Sequence, residues 1–239
     1  MFTGIITHIG TVRELVHRPE ADVATIVVDA PGVLDGLPEG GSLAVDGVCL
    51  TALHDADAEP GVFRADLMGQ TLRMTALGDL APGSRVNLER CLLPHQHLDG
   101  HLVQGHVDGV GTVLEVADEG AWHRVRVGVP ARLARYLPAQ GAVALQGASL
   151  TITAVSSPDA AEHWFEVGLI PATLAATTFD GLEAGRRLNV ETDVMARYAE
   201  RLAQIPAPRD ATAPADQEEP PDQAQPAEQA KPAHEEERA

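Results

Sequence analysis

Short runs of Val, Ile, Leu and Thr, set off from one another by Gly, Pro or Asp, make up most of this sequence, and that spacing predicts short strands. In the N-terminal half the predicted strands are Thr25–Val28, Ser42–Val45, Val48–Leu53, Val62–Leu67 and Arg85–Leu88. In the C-terminal half they are Arg124–Val129, Ala142–Leu145, Ser149–Val155, Trp164–Leu169 and Leu188–Thr192. Asp46-Gly47 and Gln146-Gly147 have the chemistry of tight hairpin turns, so a small antiparallel barrel or sandwich is expected. Short helices are expected at Gln70–Ala76 and Ala131–Leu137, where they would cap barrel openings. Near the C-terminus Val194, Tyr198, Leu202 and Ile205 share one face of a helix. An amphipathic helix after two finished domains buries that face either on its own barrel or on another subunit.

The two halves are copies. Gly41–Thr51 aligns with Gly141–Thr151, Phe63–Leu72 with Phe165–Leu174, Arg85–Glu89 with Arg187–Glu191, and Gly10-Thr11-Val12 with Gly111-Thr112-Val113, all shifted by 100 to 102 residues. The expected domains are 1–98, 99–193, an oligomerisation helix at 194–205 and a disordered Pro/Ala-rich tail at 206–239.

Charge and composition narrow the chemistry. Of the net −18, the tail holds nine acidic and three basic residues, which leaves −12 for the rest. No basic patch is available to displace counterions from nucleic acid. The single lysine is Lys231 in the tail, so the folded part has no amine for a Schiff base, and no Gly-rich loop ends in Gly-Lys-Ser/Thr. No apolar run is long enough for a membrane helix, and Met1–Gly10 lacks the basic flank and apolar run of a signal peptide, so a soluble cytoplasmic protein is expected. Cys49 and Cys91 are then free thiols. His95, His97, His101 and His106 invite a metal reading, but without the frame and Cys/His spacing of a structural zinc site, so no metal is expected.

Several separated motifs, in order, resemble the riboflavin synthase family of duplicated lumazine-binding barrels. They are Met1-Phe2-Thr3-Gly4-Ile5-Ile6, Asp46–Thr51, Gly100–Gly109, Leu169-Ile170-Pro171 with Thr173-Leu174, and Tyr198–Leu202. The resemblance runs from Met1 to about Leu202. It implies an all-β chain of two closed six-stranded Greek-key barrels, assembled through C-terminal helices into a homotrimer with active sites between subunits. It also implies a reaction: two molecules of 6,7-dimethyl-8-ribityllumazine exchange a four-carbon unit, giving riboflavin and 5-amino-6-ribitylaminouracil with no metal or separate cofactor. Lumazine synthase is a further implied partner.

Carried onto this chain, the family places a first pocket at Gly4, Ile5, Ile6, Cys49, Leu50, Thr51, Asp66, Leu67, Met68, Gly69, Gln70 and Thr71. A second falls at Gly105, His106, Val107, Gln140, Ser149, Leu150, Thr151, Gly168, Leu169, Ile170, Pro171, Ala172 and Thr173. Asp66 and Thr71 would meet ribityl hydroxyls. Phe2, Cys49, His106, Ser149 and Asp193 are the expected catalytic residues, with His106 first for proton transfer because imidazole titrates near neutrality. Cys49 and Ser149 occupy equivalent places and would position or assist nucleophile addition. Cys49 is also readable as core, and Phe2 as a hydrophobic plug.

The chain departs from the family at Gln140 and Gln146, where a lysine and an aspartate near the reacting heterocycle are usual, and at Asp46, where asparagine is usual. Two functions stand on these residues: an active riboflavin synthase, or a lumazine- or flavin-binding paralogue with lost or altered catalysis.

Overall fold

Strands that alternate buried and exposed positions, together with strands buried on both faces such as Arg85–Arg90 and Arg187–Thr192, build two sheets of the same strand order from the two copies. The strand Val62–Met68 shows the alternation: Phe63, Ala65 and Leu67 face inward while Asp66 and Met68 face out. The structure, a computed structural model, describes residues 1–53 and 59–205; the tail expected to be disordered, 206–239, lies outside the described residues.

The first copy contains β1 (His8–Arg18), β2 (Val23–Asp29), β3 (Ser42–Val45), β4 (Val48–Thr51), β5 (Val62–Met68), helix α1 (Gly69–Met74) and β6 (Arg85–Arg90). The second contains β7 (Gly109–Asp118), β8 (His123–Val129), α2 (Ala131–Ala134), β9 (Ala142–Leu145), β10 (Ala148–Val155), β11 (His163–Leu169), α3 (Pro171–Ala176) and β12 (Arg187–Thr192), followed by α4 (Val194–Gln204). All pairings are antiparallel, in the order β4-β3-β6-β1-β2-β5 and its counterpart in β7–β12. The second copy closes into a barrel; the first is a six-stranded sheet. Between β4 and β5 its closing contact is Leu53 N donating to Arg64 O at 2.9 Å, because β4 stops at Thr51 where β10 runs on to Val155.

The ten predicted strands are all present. The longest strand of each copy, β1 and β7, was not legible, for a physical reason. β1 buries only Gly10 and Val12 and otherwise alternates charged and half-exposed side chains, so no apolar run marks it. Both carry a bulge at matching places, Val12/Glu14 and Val113/Glu115.

The copies meet hairpin to hairpin. Asp46 and Gln146 adopt left-handed backbone (φ 47° and 45°), each followed by a glycine at φ 77° and 80°. A Cβ on Gly47 would stand 2.5 Å from Gly147 N, so only glycine lets the two turns touch. Around this point two buried asparagines clasp the copies reciprocally. Asn87 Nδ2 donates to Gln146 O (3.0 Å) and its Oδ1 accepts from Thr178 N (2.8 Å). Asn189 Nδ2 donates to Asp46 O (2.8 Å) and its Oδ1 accepts from Ala76 N (2.6 Å). The turn side chains complete the set: Asp46 Oδ1 accepts from Asn87 N and Gln146 Oε1 from Asn189 N, both at 2.8 Å.

Asp46 is wholly buried there, and burial pushes its carboxyl up to about 7, against the opposing pull of the Asn87 N–H and the Arg186 charge. The native state therefore holds this proton more tightly than the unfolded chain. Its stabilising contribution is fully present below about pH 4 and is lost as pH rises toward 7. Asp46→Asn keeps the acceptor oxygen without the charge. Its stability gain over the parent is expected to grow from near zero at pH 4 to about 2–4 kcal/mol at pH 8. Parallel melting-temperature curves for the two proteins across that range would refute this.

Candidate active site

Ahead of β1 and β7 each copy sends a short arm, residues 2–6 and 103–107, into the other copy. The arms pair with each other at their bases, Phe2 N donating to Val103 O (2.7 Å) and Val103 N to Phe2 O (3.2 Å). Each is held by a buried glutamate of its own copy. Glu89 accepts from Thr3 N and Thr3 Oγ1, both at 2.7 Å, and from Gly4 N at 3.0 Å. Glu191 accepts from Gln104 N (2.6 Å) and His106 N (2.9 Å). Burial raises both carboxyls and these N–H donors oppose it.

Beyond the glutamates the arms cross over. Ser149 N donates to Gly4 O at 2.8 Å, and Cys49 N donates to Gly105 O at 2.9 Å. Ile6 is packed in the second copy's core and Val107 against the first copy's. Gly4 and Gly105 have φ of 77° and 78°, and a Cβ on either would fall 2.5–2.6 Å from the Cβ of Ser149 or Cys49. The grouping expected from the sequence is corrected here: Gly4, Ile5 and Ile6 belong with Ser149, and Gly105, His106 and Val107 with Cys49.

A cavity of about 200 Å³ opens where this crossing occurs in the second copy, with Gly4, Ile5 and Ile6 on one side and Ser149, Ala172 and Thr173 on the other. Behind Ser149, His101 Nδ1 lies 2.7 Å from its Oγ. Burial lowers the His101 pKa, the Asp193 charge opposing it, which favours neutral imidazole. Neutral His101 can take a proton from the serine hydroxyl or give one to it, and its Nε2 is buried without a partner among the described residues. Asp193 is half-buried and caps α4, its Oδ1 accepting from Met195 N at 3.0 Å.

The other expected residues fall into distinct positions. Cys49 is half-buried, and burial pushes its thiol up, with a hydrogen bond from Ser42 opposing, so it is a thiol rather than a thiolate. His106 carries an exposed imidazole beside the Gly105–Cys49 contact. Phe2 is fully buried with Ala44, Val103 and Ala144 between the copies, so it acts as the plug that fixes the arms. Asp66 faces out from the sheet, its Oδ1 accepting from Arg18 (3.0 Å) and from Thr25 Oγ1 (2.6 Å). Leu67 and Leu169 point into the cores and Leu50 is buried, whereas Met68, Ile170, Gln70, Thr51 and Thr151 are exposed. Thr71 and Thr173 are half-buried in α1 and α3, where their carbonyls accept from Thr75 and Thr177 Oγ1. Gly69 is buried at the start of α1, Gly168 packs under the Trp122 ring, and Pro171 opens α3. Among the described residues, no three His, Cys, Asp or Glu side chains stand together as a metal site.

The profile of one protein family, described as the lumazine binding domain, matches twice, at residues 3–91 and 104–193. Riboflavin synthase of Mycobacterium tuberculosis is 42% identical over 203 residues, covering 84% of this chain and 98% of that protein. The riboflavin synthases of Photobacterium leiognathi (38% over 205 residues; 86% and 90% covered) and Bacillus subtilis (32% over 201 residues; 84% and 89% covered) are similar over comparable spans. The chain belongs to the riboflavin synthase family. Among solved structures, LumP complexed with riboflavin and LumP complexed with 6,7-dimethyl-8-(1'-D-ribityl) lumazine share the fold, with TM-scores of 0.71 and 0.69 at 23% identity, covering 80% of this chain and 99% of LumP.

Within the riboflavin synthase frame, the two glutamines that departed from the family pattern have defined places. Gln146 is 3% exposed and its amide oxygen is engaged by Asn189 N in the clasp. Gln140 is exposed at a left-handed turn position (φ 65°), its N–H donating to Ile152 O, at the place Gly40 takes in the first copy. Neither lines the 200 Å³ cavity. Of the two histidines in Gly100-His101-Leu102-Val103-Gln104-Gly105-His106, sequence reasoning put His106 first for proton transfer, whereas it is the first in the chain, His101, that stands behind Ser149.

Proposed function

We propose that this chain is a transferase that converts two 6,7-dimethyl-8-ribityllumazine molecules into riboflavin and 5-amino-6-ribitylaminouracil. The observation that carries the reading is the pair of crossed half-sites in a chain of this family: Cys49 with the Gly105–Val107 arm, and Ser149 with the Gly4–Ile6 arm. A reaction between two identical molecules needs two similar but unequal binding places. The duplication supplies the similarity; Cys49 against Ser149, and His106 against Ile5, supply the difference.

The main contribution expected of such a site is to hold two electron-poor heterocycles in contact, which lowers barriers by about 7–11 kcal/mol. One lumazine loses a proton from its C7 methyl and the other accepts a nucleophile; the four-carbon unit that leaves one ring is gained by the other, so the exchange balances. Ser149 with His101 behind it is the candidate for moving a proton at the second half-site, and exposed His106 the candidate at the first. The protein's own Thr173 and Thr71 are the candidates for ribityl contact.

The α4 helix supports assembly. It is fastened to the second copy by buried Val194, by Arg197 to Asp108, and by Glu200 to Arg135 and Tyr136. Its outer face leaves Met195, Tyr198 and Leu202 exposed at 68%, 62% and 75%, an apolar surface suited to a subunit contact. A homotrimer with sites completed between subunits, a cytoplasmic location and lumazine synthase as partner belong to the same proposal and rest on the family. No helix among the described residues is long and apolar enough to cross a membrane.

Incubating the purified chain with 6,7-dimethyl-8-ribityllumazine and following riboflavin absorbance tests the reaction. One riboflavin should appear for every two lumazines consumed; tight binding without turnover would replace the enzyme by a binding protein. For the assembly, Tyr198→Glu with Leu202→Glu is expected to reduce the oligomer to monomer in sedimentation and to lower activity with it. An unchanged sedimentation coefficient would remove α4 from the interface.

A further inference from the structure

Beside the clasp, on neither half-site, the copies leave a groove of about 500 Å³. Its walls are the turns Ala76–Asp79 and Thr178–Gly181 and the approaches to β6 and β12. Two ion pairs cross it in opposite directions: Arg85 Nη1 to both oxygens of Asp180 (2.9 and 3.0 Å) and Arg187 Nη1 to both oxygens of Asp79 (2.8 and 2.7 Å). Each arginine uses one nitrogen, so Nε and Nη2 of both carry no hydrogen bond among the described residues.

Two features break the symmetry between the copies, both on the second. Arg186 is half-buried on the groove wall, and its guanidinium has no hydrogen bond or salt bridge among the described residues; the first copy has Ser84 there. Thr178 is 3% exposed, and its Oγ1 is buried with no partner among the described residues; the first copy has Ala76. With Asp79 and Asp180 each neutralised by an arginine, Arg186 leaves the groove lining one unit positive on a chain of net charge −18. A planar guanidinium with all its donors free is suited to phosphoryl oxygens, and free donors of Arg85 and Arg187 line the same space. The volume exceeds what a bare phosphate ion fills, and Ser84 and Gln146 offer polar contacts to an attached hydroxylated group.

We propose that this groove binds a small sugar-phosphate-like monoester, with Arg186 and the free donors of Arg85 and Arg187 meeting the phosphoryl group. Calorimetry and thermal shift at constant ionic strength, with ribose 5-phosphate, ribose and inorganic phosphate as probes, test it. Ribose 5-phosphate should bind saturably, ribose should not, and inorganic phosphate should bind at least about threefold more weakly than the ester. Arg186→Ser, which copies the first repeat, should weaken the ester about tenfold or more, and Arg186→Gln, which keeps the length without the charge, by a similar factor, while lumazine turnover by Arg186→Ser stays at the parent level. Should Arg186→Ser fail to fold, the Arg186→Gln measurement decides. A response equal to that of sodium chloride, ribose 5-phosphate affinity unchanged in the variants, or inorganic phosphate binding as tightly as the ester would each overturn the proposal. Loss of lumazine turnover in the parent would leave this binding intact, so the two readings fail separately.

Discussion

Asn189→Ala is expected to destabilise the chain by about 3–5 kcal/mol in denaturant titration, more than an ordinary surface or single-contact change. The substitution deletes one side chain but strands two backbone groups, Ala76 N and Asp46 O, both in buried residues of the other copy. Each loses a partner that water cannot replace, at about 1–3 kcal/mol apiece. Asn87→Ala strands Thr178 N and Gln146 O in the same way and should cost a similar amount. Because the two asparagines serve one network, the double variant should fall short of the sum of the singles. A loss below about 1 kcal/mol for either single variant would show that the clasp is not what joins the copies.

Gly105→Ala is expected to cost about 100-fold in lumazine turnover and about 2–4 kcal/mol in stability. The new Cβ meets Cys49 Cβ at 2.6 Å and Phe2 Cε2 at 2.9 Å, atoms fixed by the sheet and by the plugged core, and the backbone sits at φ 78°. The arm must therefore retreat from the half-site it completes, and misplacement on the order of 1 Å at a reacting centre carries a penalty of that size. Gly83→Ala is the control. It has a comparable φ of 88° but nothing within 4 Å of its Cβ, so it should show the backbone cost of about 1 kcal/mol and full activity. Equal activity in the two variants would mean that the arms are not part of the site.

These expectations concern contacts between copies, which is where reading the sequence and seeing the structure diverge. The repeat was legible because side chains that pack the same fold twice must recur in the same order, and the turn pairs at Asp46-Gly47 and Gln146-Gly147 carried their backbone geometry openly. Strands with an apolar run were legible; β1 and β7 were not, since most of their side chains face away from the core. The Ser149 and Cys49 equivalence was legible as alignment, but His101 behind Ser149 is far away in the chain, and spacing says nothing of a contact across it.

The sequence by itself determined that the chain is a duplication, that each copy is a small antiparallel β domain, that Cys49 and Ser149 hold equivalent places, and that the molecule belongs with the lumazine-binding barrels. Which copy each arm completes was decided by tertiary structure alone. Gly4 and Gly105 look alike in sequence whether they stay at home or cross. What sends them across is the buried glutamate that turns each arm outward and the absence of a Cβ, which lets a carbonyl reach the opposite strand. The same holds for Gln146, whose neutral amide looks like a lost catalytic charge in the sequence; in the structure its side chain is buried against Asn189 N of its own copy, and its backbone carbonyl accepts from Asn87 Nδ2 of the other.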